Sequence, residues 1–143
     1  NIDFKTDLTG DVQNLGETNI SYSPELIAAN QLIFHPSDIF QVSLISKYVG
    51  EQYMGNIDSE VSLLDSFFTN DINIVYEWKE APLFKSVVFT GLVNNIFDVK
   101  YVSNGYFFCG NFQNEIIETE TFHGAGFYPQ AGINFLAGVT LKF

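Results

Sequence analysis

Residues 131–143 read AGINFLAGVTLKF, a stretch in which apolar residues alternate with polar or small ones. Counting back from Phe143 in steps of two, every residue as far as Ala131 is apolar. The intervening residues are polar or small, with Leu136 as the exception. Because successive side chains of a β-strand point to opposite faces, the stretch predicts a strand with one apolar and one polar face. The alternation leaves open whether the apolar face meets the core of a soluble sandwich or lipid.

Four more strands are predicted upstream, so the fold is expected to be all-β. Residues 67–79 alternate most clearly, with Ile74 and Trp78 on one face and Asn73 and Glu77 on the other. A sixth strand within residues 1–9 is left open. The five predicted strands are residues 25–34, 39–53, 67–79, 86–97 and 131–143.

The connections between these strands alternate in length. Short turns are predicted at 35–38 and 80–85, where prolines lie, and long loops at 54–66 and 98–130. Outer-membrane barrels have short periplasmic turns and longer outer loops, so this order favours an antiparallel up-and-down transmembrane β-barrel. Aromatic residues also fall near both ends of the strands, as in the two girdles of such barrels. They are Phe34, Phe40, Trp78, Phe84 and Phe143 near the short turns, and Tyr48, Tyr53, Phe67, Phe68 and Tyr101 near the long loops.

Composition excludes several classes of protein. A formal net charge of -11 argues against nucleic acid as a partner, because nucleic-acid binding needs a basic face. The single cysteine, Cys109, rules out an internal disulfide. No apolar run is long enough for a transmembrane helix, whereas the short alternating strands of a barrel would not produce such a run.

Neither a catalytic set nor a metal or cofactor site is predicted, and an enzyme is not expected. His123 lies near Glu115, Glu118 and Glu120, but their spacing fits no recognised ligand motif, and an acidic solvated loop is favoured. Cys109 has no base beside it in the sequence, which disfavours a nucleophilic role.

The number of strands is too small for a complete barrel. Single-chain outer-membrane barrels begin at about eight strands. An open sheet edge in lipid would leave backbone groups without hydrogen-bond partners. Five or six strands therefore predict the last part of a larger barrel.

Four stretches resemble, in order and spacing, the C-terminal end of TonB-dependent outer-membrane receptors. The segment NNIFDVKY (94–101) is similar to the NNLF-x-x-x-Y stretch of that family's penultimate strand. The closing residues resemble its terminal strand, whose final aromatic residue is an assembly signal, and this implies that role for Phe143, Leu141 and Val139. The stretches are SPELIAANQLIFHPSD (23–38), KYVGEQYM (47–54), LVNNIFDVKYVSNGY (92–106) and FYPQAGINFLAGVTLKF (127–143).

The resemblance implies a 22-stranded barrel closed around a plug domain, with this chain supplying about the last five strands. On that interpretation the chain lies in the bacterial outer membrane and contacts lipid, the remainder of the barrel and the plug. The plug and the segment that contacts TonB are absent from it. The expected function is import of a scarce nutrient, whether an iron chelate, cobalamin or a glycan. The alternative is a soluble β-sandwich module that binds a glycan or another ligand.

If a ligand is bound, the long outer loops are the expected place, because loops on a rigid scaffold often carry function. The 98–130 loop is dense in aromatic residues. These rings can stack on a sugar, a porphyrin or a catechol, or pack the loop against its neighbours. The candidate ligand contacts are Tyr106, Phe107, Phe108 and Tyr128.

Overall fold

The computed structural model describes residues 2–6, 12–114 and 117–143. This part of the chain is all-β with antiparallel pairing, and its helical structure is limited to a 3₁₀ turn at Glu60–Ser62. None of the described residues belongs to a helix long and apolar enough to cross a membrane. The strands are β1 (Ile2–Thr6), β2 (Val12–Glu17), β3 (Ile27–Ser37), β4 (Phe40–Val49), β5 (Gln52–Tyr53), β6 (Leu63–Leu64), β7 (Phe67–Lys79), β8 (Ser86–Asn94), β9 (Val102–Asn114), β10 (Ile117–Pro129) and β11 (Asn134–Lys142).

The chain divides into two compact units. The sheet unit, residues 27–49, 67–100 and 131–143, contains one five-stranded sheet in the order β11-β8-β7-β4-β3. Over the described residues, β3 and β11 do not pair with each other, so this sheet is open and not closed into a barrel. The hairpin unit, residues 1–26, 50–66 and 101–130, contains three two-stranded sheets: β1–β2, β5–β6 and β9–β10.

The register of the five-stranded sheet separates an apolar face from a polar face. Val42 lies opposite Ile74, and Ile74 lies opposite Gly91 on the next strand. One residue along, Ser43 lies opposite Asn73 on the other face. This agrees with the alternation in the sequence. Large exposed side chains of the apolar face are Leu32, Phe34, Phe68, Ile74, Tyr76, Trp78, Phe89, Phe135, Val139 and Leu141.

Exposure on the two faces is largely the reverse of that in an ordinary soluble sheet, although Val87 on the apolar face is buried and Leu136 on the polar face is exposed. On the apolar face, Phe135 is 82% exposed and Leu32 is 65% exposed. On the polar face, Ser43, Thr69 and Ser86 are buried. Soluble monomers seldom leave a contiguous apolar patch uncovered, and a large one usually contacts protein or membrane.

Predicted and observed strand boundaries differ mainly at the ends. The prediction 67–79 coincides with β7, whereas the predicted strand 39–53 stops at Val49. The turn expected at 35–38 lies at 38–39, because β3 continues through Pro36 to Ser37. Proline is tolerated in β3 because the β3–β4 register is irregular between Phe34 and Ser37, and proline occurs in sheets at such irregularities.

The stretch 98–130, predicted as a long loop, instead contains the β9–β10 hairpin. Its glycines resemble loop signals, but they lie within strands opposite aromatic residues. The predicted loop 54–66 contains the 3₁₀ turn and β6. The strand left open within 1–9 is β1, which pairs with β2 and not with the five-stranded sheet.

Two aromatic residues lie elsewhere than the predicted girdles require. Phe67 is on the polar face of the sheet and is buried. Phe34 lies opposite Val42, in the same cross-strand row as Ile74, and therefore well inside the apolar band. The facing of Phe67 follows from the alternation along β7, whereas the cross-strand row of Phe34 depends on the register between β3 and β4.

A turn after β8 holds the start of β11 through hydrogen bonds made by the side chains of Asn95 and Asp98, two residues whose backbone φ is positive. Asn95 (φ 51°) accepts a hydrogen bond from the Val99 amide at 3.0 Å on its side-chain oxygen. Asp98 (φ 51°) accepts from the Ile133 amide at 2.9 Å and from Lys100 Nζ at 2.8 Å. The Lys100 ammonium and, secondly, the Ile133 amide lower the pKa of the Asp98 carboxyl below its ordinary value.

Candidate functional site: an aromatic ladder

The β9–β10 hairpin brings aromatic residues from both strands onto one face. Tyr106 lies opposite Gly126. Phe108 lies opposite Gly124. The same face continues with Phe122 and Tyr128, since alternate residues of each strand share a face. We call this set the aromatic ladder: in spatial order Tyr128, Tyr106, Phe108 and Phe122.

The rings of the ladder follow one another at nearly constant spacing. The ring centroids of Tyr128 and Tyr106 are 6.1 Å apart. Those of Tyr106 and Phe108 are 6.3 Å apart, with an interplanar angle of only 17°. Those of Phe108 and Phe122 are 5.9 Å apart. All four side chains are about half exposed, so the ladder presents a continuous aromatic strip.

Glycines on the facing strand make room for these rings. A Cβ atom added at Gly126 would collide with the Tyr106 ring, and one added at Gly124 would collide with the Phe108 ring. Neither glycine has a φ in the left-handed region, so their role is to provide space, not an unusual backbone conformation. Each ring therefore lies across its facing glycine, and the pair fixes the ring position.

The opposite face of the hairpin packs against residues 54–62 of the same unit. The ring centroid of Phe107 is 5.7 Å from that of His123, and a Cβ at Gly55 would collide with Phe107. His123 Nδ1 lies 3.4 Å from Ser59 Oγ. This packing supports the hairpin from behind and leaves the ladder on the outward side.

Residues 19–22 also contact the supporting segment and the hairpin. The Tyr22 hydroxyl donates a hydrogen bond to the Gly105 carbonyl at 2.6 Å. The Asn19 amide donates to Asp58 Oδ1 at 3.0 Å. The hairpin is therefore held by two other segments of the hairpin unit.

The charged residues in the sequence of 101–130 are all acidic. Residues 101–130 contain three glutamates, and neither lysine nor arginine. Among the side chains that the structure describes, the polar groups on the ladder face are the hydroxyls of Tyr106 and Tyr128 and the amide of Asn104, which lies opposite Tyr128. Glu120 lies opposite Phe112 on the same face of the hairpin, in the part whose side chains are not described. This surface offers aromatic faces and neutral hydrogen-bonding groups, and no cation for an acidic ligand.

Three of the four predicted ligand contacts lie on the same face of the hairpin, and the fourth lies on the opposite face. Tyr106, Phe108 and Tyr128 come together on the ladder, whereas Phe107 lies on the opposite, packed face. The sequence reasoning missed Phe122. Its even spacing from Tyr128 is a signal for the same face, but only once the segment is assigned as a strand.

The described residues contain no group of three or more histidine, cysteine or acidic side chains that could hold a metal ion. Glu115 lies outside the described residues, as do the side chains of Glu118 and Glu120. Cys109 is exposed and lies opposite His123 in the hairpin.

Of the three residues proposed as an assembly signal, Val139 and Leu141 belong to β11 and Phe143 directly follows it. Val139 and Leu141 lie on the apolar face, and both are exposed. Phe143 is 90% exposed, and its ring packs edge-on against Phe84, with centroids 5.2 Å apart.

No family model, curated protein or solved structure matches the chain.

Proposed function

We propose that the chain is part of a TonB-dependent outer-membrane receptor, a β-barrel that imports a scarce nutrient. The observation that carries this proposal is the five-stranded sheet with an exposed apolar face and a polar opposite face. A barrel wall between lipid and a wet lumen requires this distribution. A soluble β-sandwich, the alternative, buries the apolar face of each sheet against a second sheet.

The height of the apolar face is close to that of a bilayer, although one polar row, Asn30–Ser46–Asn70, crosses it next to Phe68. On β7, Phe68 and Trp78 lie on the apolar face at opposite ends, ten residues apart. That separation is about 34 Å along an antiparallel strand. With the usual barrel tilt, it projects to about 24–28 Å along the membrane normal, close to the apolar band of about 25 Å in known barrels.

The polar face carries a hydrogen-bonded network suited to a wet lumen. Glu77 Oε1 accepts from Ser86 Oγ at 2.7 Å and pairs with Lys142 Nζ at 2.9 Å. Further along this face, Asn94 Nδ2 donates to Asn134 Oδ1 at 2.9 Å. These groups link β7, β8 and β11 on the side away from the apolar band.

The open edges of the sheet support a larger assembly. Over the described residues, β3 and β11 each pair on one side only. Further strands of a barrel would satisfy the outer backbone groups, which lipid cannot do. The plug domain and TonB enter the proposal through the sequence resemblance. In support of it, two of the resembling stretches lie together, since Asn95 Nδ2 donates to the Ala131 carbonyl at 3.3 Å.

Membrane fractionation tests the proposal. The native polypeptide would be detected with an antibody to residues 101–114, after extraction of outer membranes with detergent. The expected result is a band several times heavier than 16.1 kDa that migrates differently before and after boiling. A product that stays in the aqueous fraction as a monomer would contradict the barrel and favour the sandwich.

A further inference from the structure

We infer that the aromatic ladder binds a neutral, linear oligosaccharide. This names a ligand class for the receptor proposed above, and in that respect the inference rests on the proposed function. The geometry of the ladder itself belongs to the hairpin unit alone.

The arrangement of the rings suits a chain of sugar rings. A pyranose presents a flat C–H face about as wide as a phenyl ring. Consecutive ladder rings are spaced by 5.9–6.3 Å, close to the width of one six-membered ring. The ladder extends in one direction along the hairpin, so its length matches an extended ligand better than a compact chelate.

The same geometry argues against an organic cation as the ligand. Recognition of quaternary ammonium groups uses aromatic rings that converge into a cage. Here the Tyr106 and Phe108 rings are nearly parallel, at 17°, and the outer pairs are tilted by 50° and 45°, but all four rings follow one another along one face and do not surround a common centre. The rings form a strip, which gives a point charge no enclosure.

The charge of the hairpin excludes acidic ligands. Carboxylates and phosphates are usually held by arginine or lysine. Residues 101–130 have neither, and their three glutamates would repel an anion. The neutral groups that remain, the hydroxyls of Tyr106 and Tyr128 and the Asn104 amide, are donors and acceptors suited to sugar hydroxyls.

The rings are also held in place before any ligand arrives. Tyr106 and Phe108 lie against Gly126 and Gly124, and each ring contacts its neighbour along the ladder. Aromatic side chains have few rotatable bonds, so little conformational entropy is lost when they are covered.

The test is a binding titration with the complete detergent-solubilised polypeptide. The probes are neutral linear glucan, mannan and xylan oligosaccharides of one to six units, and an oligogalacturonate as the acidic counterpart. For at least one neutral series, affinity is expected to rise with chain length up to about the number of ladder rings. The oligogalacturonate is expected to bind more weakly than the neutral oligosaccharides of equal length.

Substitutions locate the site. Tyr106→Ala and Phe108→Ala should each weaken binding about 2- to 10-fold, and Tyr106→Phe should retain most of the affinity because it keeps the ring. Phe127→Ala is the matched control: Phe127 is a similarly exposed aromatic residue of β10 on the opposite face. The oligosaccharide affinity of the Phe127→Ala variant should stay within about twofold of the native value. Unchanged heat-modifiable migration shows that each variant folds.

Three results would overturn the inference: no binding of any neutral series by the native protein, stronger binding of oligogalacturonate, or equal loss in the ladder variants and in Phe127→Ala. If the polypeptide is nevertheless extracted from outer membranes as a heavy, heat-modifiable species, the receptor proposal stands and only the ligand class fails. Conversely, ladder-dependent binding by a soluble monomer would retain the ligand class and refute the barrel.

Discussion

Arginine substitution at neighbouring positions of β7 tests which face of the sheet contacts lipid. Ile74 is on the apolar face, between Val42 and Gly91 of the adjacent strands. It is six residues from Phe68 and four from Trp78, so it lies near the middle of the apolar band. In the proposed barrel, Ile74→Arg would place a charge in hydrocarbon.

The expected cost of Ile74→Arg is about 2–4 kcal/mol, the value for arginine near the bilayer midplane. This corresponds to a decrease of about 30- to 700-fold in the equilibrium between inserted and unfolded protein. Asn73→Arg is the matched control, because Asn73 is adjacent in the strand but lies on the polar face opposite Ser43. A lumen-facing arginine remains hydrated, so we expect a change within about 0.5 kcal/mol.

The assay is a denaturant titration of the complete polypeptide folded into lipid vesicles, with the folded fraction read from heat-modifiable migration on a gel. Trp78→Arg supplies a second comparison, because near the interface the charge itself should cost only about 0–1 kcal/mol. Equal losses at positions 73 and 74 would refute the assignment of the faces. Full tolerance of Ile74→Arg would refute insertion of this strand in lipid.

Three further predictions follow from individual contacts. Because the pKa of Asp98 is lowered in the folded protein, this carboxylate contributes its full stabilisation above the ordinary pKa of 3.8 and loses it as the pH falls through the lowered value. Asp98→Asn removes this contribution, so its acid unfolding, monitored by circular dichroism, should begin at a higher pH than that of the native protein. Gly132→Ala should have the same effect, because its Cβ would displace the Asp98 carboxylate, and native-like acid stability in both variants would contradict this role. Ser46 Oγ donates a hydrogen bond to the buried Asn70 Oδ1 at 2.6 Å. Ser46→Ala should therefore lower the free energy of unfolding, measured in denaturant, by about 1–3 kcal/mol, whereas the double variant Ser46→Ala with Asn70→Leu should be nearly neutral. Equal losses of unfolding free energy in the single and double variants would contradict this account. Gly124→Val should push the Phe108 ring aside and weaken oligosaccharide binding about 2- to 10-fold in the same titration, and native affinity would contradict the fit of ring to glycine.

The five-stranded sheet was largely predictable because its signal lies within each strand. In β7, alternation alone separates Ile74 from Asn73, whatever strand lies beside it. The row in which Phe34 lies was not predictable, since it depends on the register between β3 and β4. Pro36 predicts a turn because a single sequence does not show the irregular β3–β4 register that accommodates a proline within the strand.

The hairpin was harder to predict because its two strands depend on each other. Gly124 and Gly126 favour a loop when each is considered alone. They fit a strand only when Phe108 and Tyr106 lie across them, and that pairing requires the register between β9 and β10. The density of aromatic residues therefore indicates the segment that forms the ladder, but not that Phe107 faces away from Phe108.

The exposed aromatic rings of the two units differ in the residues that lie beside them. On the sheet, rings share their face with aliphatic residues such as Leu32, Ile74 and Val139, and a lipid environment favours both. On the ladder face, between Asn104 and Gly110, the neighbours of the rings are glycines, and no aliphatic side chain is present. The apolar face of the sheet has one glycine, Gly91, among its described residues, whereas three of the four ladder rings lie opposite a glycine, which adds no apolar area. Rings supported by glycine at regular intervals instead provide separate flat faces, which is the requirement for recognising a ligand made of rings.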